Sequence, residues 1–393
     1  MDVSMSKNTR NEVMEKLRKR YEKAGPVYRR QLIDQVVDLL DCHRKSAIRA
    51  LNWRMRPRPA VAGVIGRPRT YDAPRLLPTL KTLWLAGQQP CGKRLAGMMA
   101  DWLPAYESYH RPLKPEVREP LLAASPATLD RLLMPLRAQY KRTKAGTKPG
   151  TLLRAQIPIR GGSWQEDEPG WLEADTVALC GGSIAGEFVW MLDGTDLCTT
   201  WVEMRALWGR GQHGAVSQLA DIEQSLPFAW LGLDNDNGGE FLNHHVLKWC
   251  QKGRRRRRPI YCTRSRPYRS NDNAHVEQKN WTHVRHWFGY ERHDNAEVVG
   301  LINELAKGPL GQFVNLFSPS MKLERKEKAD EGRERRVYGK PLTPYARVMA
   351  SGQVTQQKKK ELKALKESLN PFELEAQIRQ RLVRIDRMRR CQN

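Results

Sequence analysis

The sequence predicts a mixed α/β sheet domain flanked by helices, with all-α modules ahead of it and a small basic region behind it. Three observations carry that expectation. Up to about residue 140 the apolar residues recur with helical period, in blocks parted by basic Pro/Gly linkers. From about residue 164 the pattern changes to short apolar or alternating runs, the mark of strands. Within that second part lie three separated carboxylates: Asp175 in WLEADTVAL, Asp236 in LGLDNDNGGEF and Glu277 in SRPYRSNDNAHVEQKNW.

Residues 1–55 read as a helix-turn-helix module. VYRRQLIDQVVDLL puts Leu32, Ile33, Val36, Val37 and Leu40 on one face, Asp41 and Cys42 interrupt, and HRKSAIRALNWR follows. The second helix would turn Arg44, Lys45 and Arg49 toward DNA, or would simply carry a solvated basic face. Residues 56–72 are a basic Pro/Gly/Arg linker whose Arg67 and Arg69 suit a minor groove. A second helix-turn-helix-like domain is expected over 73–140, closing on SPATLDRLLMPLR with Ser125 as N-cap and Pro126 at the first helical position. Residues 141–163 form a further linker.

The sheet domain is expected over 164–310. Asp175 lies on its first strand; FVWML (188–192), CTTWVEM (198–204), FAWLGL (228–233) and PIYCT (259–263) are further strands. Helices are expected at 212–225, around HHVLKWC, and over 273–289. A small extended element is expected at 311–353 and a basic helical tail at 354–393.

The formal charge is +25, yet residues 166–250 hold fourteen acids against three basic residues. An acidic centre in a basic chain points to a polyanionic partner held across bound cations. The seven scattered cysteines read as reduced thiols of a cytoplasmic protein, and no apolar run is long enough for a membrane. His244, His245 and Cys250 lack zinc spacing, and no zinc site is predicted.

Carboxylates suit magnesium, a hard cation that prefers oxygen ligands. Two such ions about 4 Å apart can serve the attacking and leaving oxygens of an in-line phosphoryl transfer. Asp175, on a central strand, is the expected bridge, with Asp236 and Glu277 each completing one metal. Asp234 competes with Asp236 for its place. Glu240 reads as a helix-start acid, and Glu173, two positions from Asp175, shares its strand face.

EADTV around Asp175, CGGSIAGEF after it, LDNDNGGEFLN, TRSRPYRSNDNAHVEQKNW and YGKPLTPYARV together resemble the DDE transposases of the retroviral-integrase superfamily, in particular bacterial insertion-sequence transposases with N-terminal helix-turn-helix modules. The resemblance covers about 150–350 and implies an RNase H-like fold. It implies cleavage at transposon ends and transfer of the freed 3′-OH into target DNA, with two Mg²⁺ ions per site and Mn²⁺ as a substitute. It carries the catalytic and metal-binding triad onto Asp175, Asp236 and Glu277. It further implies a homodimer or higher multimer on double-stranded DNA, at both transposon ends and target, in a bacterial, nucleoid-associated setting. The spacing between Asp236 and Glu277 exceeds the family's usual one, the surplus falling near GRRRRRP.

Between those acids lie Arg254, Arg255, Arg256, Arg257, Arg258, Arg264 and Arg266, a run suited to phosphate contact or to a solvated face. Asn280 and Arg285 share the helix face of Glu277 and would hold DNA near the metals. Two other functions remain open on the residues alone. One is a DNA-binding repressor or assembly protein whose RNase H-like domain is not catalytic. The other is an RNase H-like nuclease acting on hybrids or junctions.

Overall fold

A computed structural model describes residues 7–52, 71–140, 167–209, 212–235, 244–252, 258–264, 280–328 and 334–390. Met1–Thr70 and Tyr71–Asn393 are two compact units.

The first unit is helical. α1 (Lys7–Lys23), α2 (Pro26–Leu40) and α3 (Arg44–Leu51) bury Met14, Ile33, Val36, Ala47 and Leu51 against one another. The expected turn between α2 and α3 is tight. Asp41 takes a left-handed φ of 42° and returns its N–H to Val37 O, ending α2. His43 Nδ1 then accepts the Lys45 N–H at 3.2 Å and starts α3.

The second unit opens with α4 (Ala73–Ala86), α5 (Gly92–Tyr109), α6 (Pro115–Ala123) and α7 (Pro126–Arg137). Ser125 Oγ accepts the Thr128 N–H at 3.2 Å and Pro126 occupies the first turn, as the local sequence dictates. These helices share one hydrophobic core with the sheet that follows. The Trp102 indole N–H donates to Phe317 O at 3.1 Å, and its ring meets Phe313 and Phe372 edge-on at 5.9 and 5.3 Å.

The sheet has the order β3-β2-β1-β4-β5. β1 (Trp171–Ala178), β2 (Val189–Asp196) and β3 (Val202–Trp208) form an antiparallel meander; β4 (Gly232–Asn235) and β5 (Tyr261–Arg264) add in parallel. α8 (Gln212–Ser225) and α9 (His244–Lys252) are the crossovers. The fully buried Arg205 of β3 binds Glu203 at 3.0 Å, Ser225 Oγ at 2.7 Å and Asp221 of α8, which fastens that helix to one sheet face. Burial pushes the Glu203 carboxyl up, against the pull of Arg205.

Two strands differ from expectation. FAWLGL is apolar, but the strand begins only at Gly232. Trp230 instead packs edge-on against Trp249 of α9, with ring centroids 5.6 Å apart, and donates its indole N–H to Gly232 O at 2.9 Å. CTTWVEM begins in a turn rather than a strand. Asp196 accepts the Thr199 N–H and hydroxyl at 2.7 and 2.6 Å, and Thr200 is left-handed at φ 59°. The chain straightens at Val202.

The outer edge of β3 is closed by side chains. Asn315 accepts the Val202 N–H at 2.9 Å and donates to Val202 O at 2.8 Å; Asn303 does the same to Ala206, at 2.7 and 3.1 Å. Arg205 takes the Met204 carbonyl between them at 2.8 Å. These amides satisfy an edge that would otherwise recruit another strand.

Of the helix expected over 273–289, the described part is a π-helical turn at Asn280–Arg285 running into α10 (His286–Phe288). α11 (Val298–Leu305) and the π-helical turns Ala306–Leu310 and Phe313–Phe317 follow, then a hairpin of β6 (Leu323–Lys328) and β7 (Glu334–Tyr338). α12 (Pro344–Ala350) comes from YGKPLTPYARV. Thr343 caps it at 3.1 Å, and Arg347 reaches Thr200 Oγ1 at 2.7 Å and Ser320 Oγ at 2.9 Å, tying it to the β2–β3 turn. Burial lowers that guanidinium to about 10. α13 (Gln356–Glu367) and α14 (Pro371–Arg390) end the described chain. These two helices fall in the basic helical tail expected over 354–393, and Phe372, Leu374, Ile378 and Ile385 of α14 are buried in the common core.

Gly232 permits the β1–β4 seam, because a Cβ there would lie 2.1 Å from the Trp171 ring. Gly232→Ala is expected to cost about 1–3 kcal/mol, read as a lower urea midpoint. Gly182→Ala, which meets nothing within 4 Å, should stay within about 0.5 kcal/mol of the parent. Equal midpoints for the two variants would refute this account of the seam.

Candidate active site

Alternate residues of a strand share a face, and residues in register on neighbouring strands share it too. Glu173 and Asp175 of β1 therefore lie on one face. Opposite Asp175 on β2 is Asp193, and opposite Glu173 are Thr195 on β2 and Asp234 on β4. Asp234 is in turn opposite Thr263 on β5. Four carboxylates from three adjacent strands thus share one face. Directly opposed Cβ atoms lie about 4.5–5.5 Å apart, close enough for two carboxyls to hold a common cation or proton.

Their exposure differs in a useful way. Glu173, Asp193 and Asp234 are buried, at 1%, 0% and 1%, while Asp175 is half-buried and so is the acid of this face open to solvent. Asp175 Oδ1 accepts the N–H of Thr176 at 2.7 Å, which holds the carboxylate close to its own strand. Asp234 Oδ1 accepts the Thr263 hydroxyl at 2.6 Å. That bond restrains the Asp234 carboxylate against β5.

The sequence pointed to Asp175 and weighed Asp234 and Glu173, but Asp193 was missed. It sits in the run VWMLDGTD, where every residue is buried, so alternation cannot reveal a face. An aspartate inside such an apolar run was the available signal.

The loop between β1 and β2 carries CGGSIAGEF. It is organised by Arg292, whose guanidinium donates to the carbonyls of Cys180, Ser183, Ala185 and Glu187 at 3.3, 2.8, 2.7 and 3.2 Å. The motif thus shapes the far end of the hairpin rather than supplying reactive groups. Arg285 stands on the same side of the unit. It donates to Ala178 O at 2.8 Å, at the end of β1, and stacks 5.0 Å over Tyr290. Burial lowers its guanidinium below the ordinary arginine range.

The remaining expected residues divide as follows. Asp236 and Glu277 lie outside the described residues, as do Arg67, Arg69, Arg254, Arg255, Arg256, Arg257 and Arg266. Arg258 is exposed ahead of β5, Arg264 is the last residue of β5, and Asn280 opens the π-helical turn. On α3, in the other unit, Arg44 pairs with Asp34 of α2, and Lys45 and Arg49 are exposed.

The donors on the acidic face are carboxylate and hydroxyl oxygens; Cys262, opposite Leu233, faces the other way. That chemistry fits Mg²⁺ or Mn²⁺ better than zinc. Among the described residues no three His, Cys, Asp or Glu side chains converge as a metal cage. No helix among the described residues is long and apolar enough to cross a membrane.

No family model matches the chain. An uncharacterized protein, y4rM, of Sinorhizobium fredii (strain NBRC 101917 / NGR234) is 34% identical over 350 residues, spanning 88% of this chain and 96% of that protein. Among solved structures, the catalytic core domain of BIV integrase aligns over 45% of this chain and 91% of its own, at 16% identity and a TM-score of 0.28, too slight a similarity to fix a fold.

The Thr263–Asp234 bond supports a buried carboxylate, and removing its donor takes one hydrogen bond from that group. Thr263→Val is expected to destabilise the protein by about 1–3 kcal/mol in urea unfolding. An unchanged midpoint would show that Asp234 does not depend on the threonine.

Proposed function

Since the chain belongs to the protein family of y4rM from Sinorhizobium fredii, we propose for it an activity that the relative's description leaves open: DNA transposase, of the DDE type with an RNase H-like catalytic domain. The observation that carries this reading is the acidic face centred on Asp175. The sheet order supports it as well, three antiparallel strands followed by two parallel ones with β1 and β4 adjacent at the centre, the arrangement of an RNase H-like sheet.

The β1–β4 register supports the pairing of Asp175 with Asp236. Ala174 is opposite Asn235, and the next residue in the chain is Asp175 on one side and Asp236 on the other. Glu277 precedes the π-helical turn at Asn280–Arg285, which packs against β1 and β2. In this reading Asp175, Asp236 and Glu277 hold two Mg²⁺ ions, or Mn²⁺ in their place. The ions would supply charge neutralisation at the reacting phosphate.

The chain's own residues do the rest. The strand backbone fixes Asp175, and the Thr176 N–H restrains its carboxylate, so that little reorganisation is needed when DNA arrives. Arg285 holds the end of β1 through Ala178 O, and in this reading Arg285, Asn280 and Arg264 would contact a DNA strand. Arg254, Arg255, Arg256, Arg257, Arg258 and Arg266 would add sequence-independent phosphate contacts. The α2–α3 pair, with Arg44, Lys45 and Arg49 on α3, and the linker residues Arg67 and Arg69 would bind the transposon end. Two ends must be brought together, so the working form is a dimer or higher multimer on DNA.

Strand transfer with the flanking inverted repeats, in Mg²⁺ or Mn²⁺, tests the proposal. Asp175→Asn should lower transfer and end nicking at least about 100-fold and leave end binding nearly intact. Normal transfer by that variant would refute the site. Binding without metal-dependent nicking by the parent protein would leave a repressor or assembly protein. Preference for RNA–DNA hybrids over duplex DNA would leave an RNase H-like nuclease.

A further inference from the structure

Outside the acidic face, the charge on α14 is sorted in an unusual way. Its acids account for three of its arginines. Glu375 pairs with Arg379, and Asp386 pairs with Arg389 and Arg390 at 2.5 and 2.8 Å. Arg381, Arg384 and Arg387 have no ion-pair partner among the described residues. Arg381 donates to Glu304 O at 3.3 Å, a backbone contact that anchors it beside α11 without neutralising it. Together with Gln380 and Val383 these three arginines line a groove of about 450 Å³.

Helix electrostatics account for only part of this. The negative end of a helix stabilises a cation in its last turn, which covers Arg387. Arg381 and Arg384 lie further back, where that field has decayed. The three recur at i, i+3 and i+6, so they run along one side of the helix over about 9 Å at 1.5 Å per residue. Each strand of duplex DNA carries one phosphate per about 3.4 Å of axis, so this length meets two or three phosphates. Guanidinium forks suit phosphate oxygens, and a glutamine amide adds a neutral donor.

We propose that this face of α14 binds the sugar–phosphate backbone of duplex DNA, as a surface separate from the acidic face. The inference takes DNA as the partner from the transposase reading and adds to it a contact without sequence preference. A protein partner fits the face less well. Interface cores are apolar and aromatic, and here Val383 is the lone exposed apolar side chain among the arginines. A membrane surface would need a wide apolar stripe, whereas the stripe of α14 is spent in the core.

The test is equilibrium binding of the full chain to a random-sequence duplex, followed by fluorescence anisotropy between 50 and 200 mM KCl. Arg384→Ala/Arg387→Ala should make the slope of log K against log salt shallower by about 1.8, two phosphates at about 0.9 each, and weaken binding about equally for every sequence. Arg379→Ala, which removes an arginine already paired with Glu375, should leave the slope unchanged. Should the alanine pair fail to fold, Arg384→Gln/Arg387→Gln reads the same quantity. An unchanged slope in a folded double variant overturns the proposal. So does loss of self-association in light scattering with the slope intact, which would assign the face to a second copy of the chain. Asp175→Asn is read by strand transfer and this pair by salt dependence, so either reading can fail while the other stands.

Discussion

The parallel seam between β1 and β4 is the constraint on which the rest of the sheet depends. Gly232 lies against the Trp171 ring, where a Cβ would force that ring to shift, and Gly170 O accepts the N–H groups of both Leu231 and Gly232, at 2.8 and 3.0 Å. Those contacts set the register, and the register puts Glu173 beside Asp234. A slip of one residue would send every side chain of β4 to the other face. Asp234 would then enter the apolar layer where Leu233 is now buried, and the acidic face would lose one of its members.

Rigidity around that seam has several sources. Asn303 and Asn315 close the edge of β3 with side-chain amides, and Arg205 ties α8 to the sheet from within the core. Arg292 draws the β1–β2 loop together through four carbonyls. The N-terminal helices of the second unit and the last helix of the chain pack on the same core through Trp102, Phe313 and Phe372. A site built on strands held in this way keeps its carboxylates close to their working geometry, which a loop-borne site would not.

Much of this was legible in the sequence, for physical reasons that differ by element. Helical period and capping residues marked α2, α3 and α7, and α8 runs over the residues expected of it. EADTV announced β1 because acids alternate with small and apolar residues there. FAWLGL misled because burial and strand formation are separate properties: Trp230 is buried by packing on Trp249, outside any strand. The start of β3 was misplaced because alternation cannot see the left-handed Thr200. The last helix read as basic helix because charge dominates it; its buried stripe of Leu374, Ile378 and Ile385 was not singled out. Of the acids on this face, the sequence singled out Asp175 and weighed Glu173 and Asp234, while Asp193 was hidden in an all-buried strand.

The central claim is that the face bearing Asp175 holds a divalent cation. Crystals grown with Mn²⁺, measured for its anomalous scattering, address it most directly. The account predicts manganese at about 2.1 Å from an Asp175 carboxylate oxygen, the distance usual for a magnesium-type site. Well-ordered density for Asp175 with no manganese against it, at millimolar metal and with DNA bound, would contradict the account.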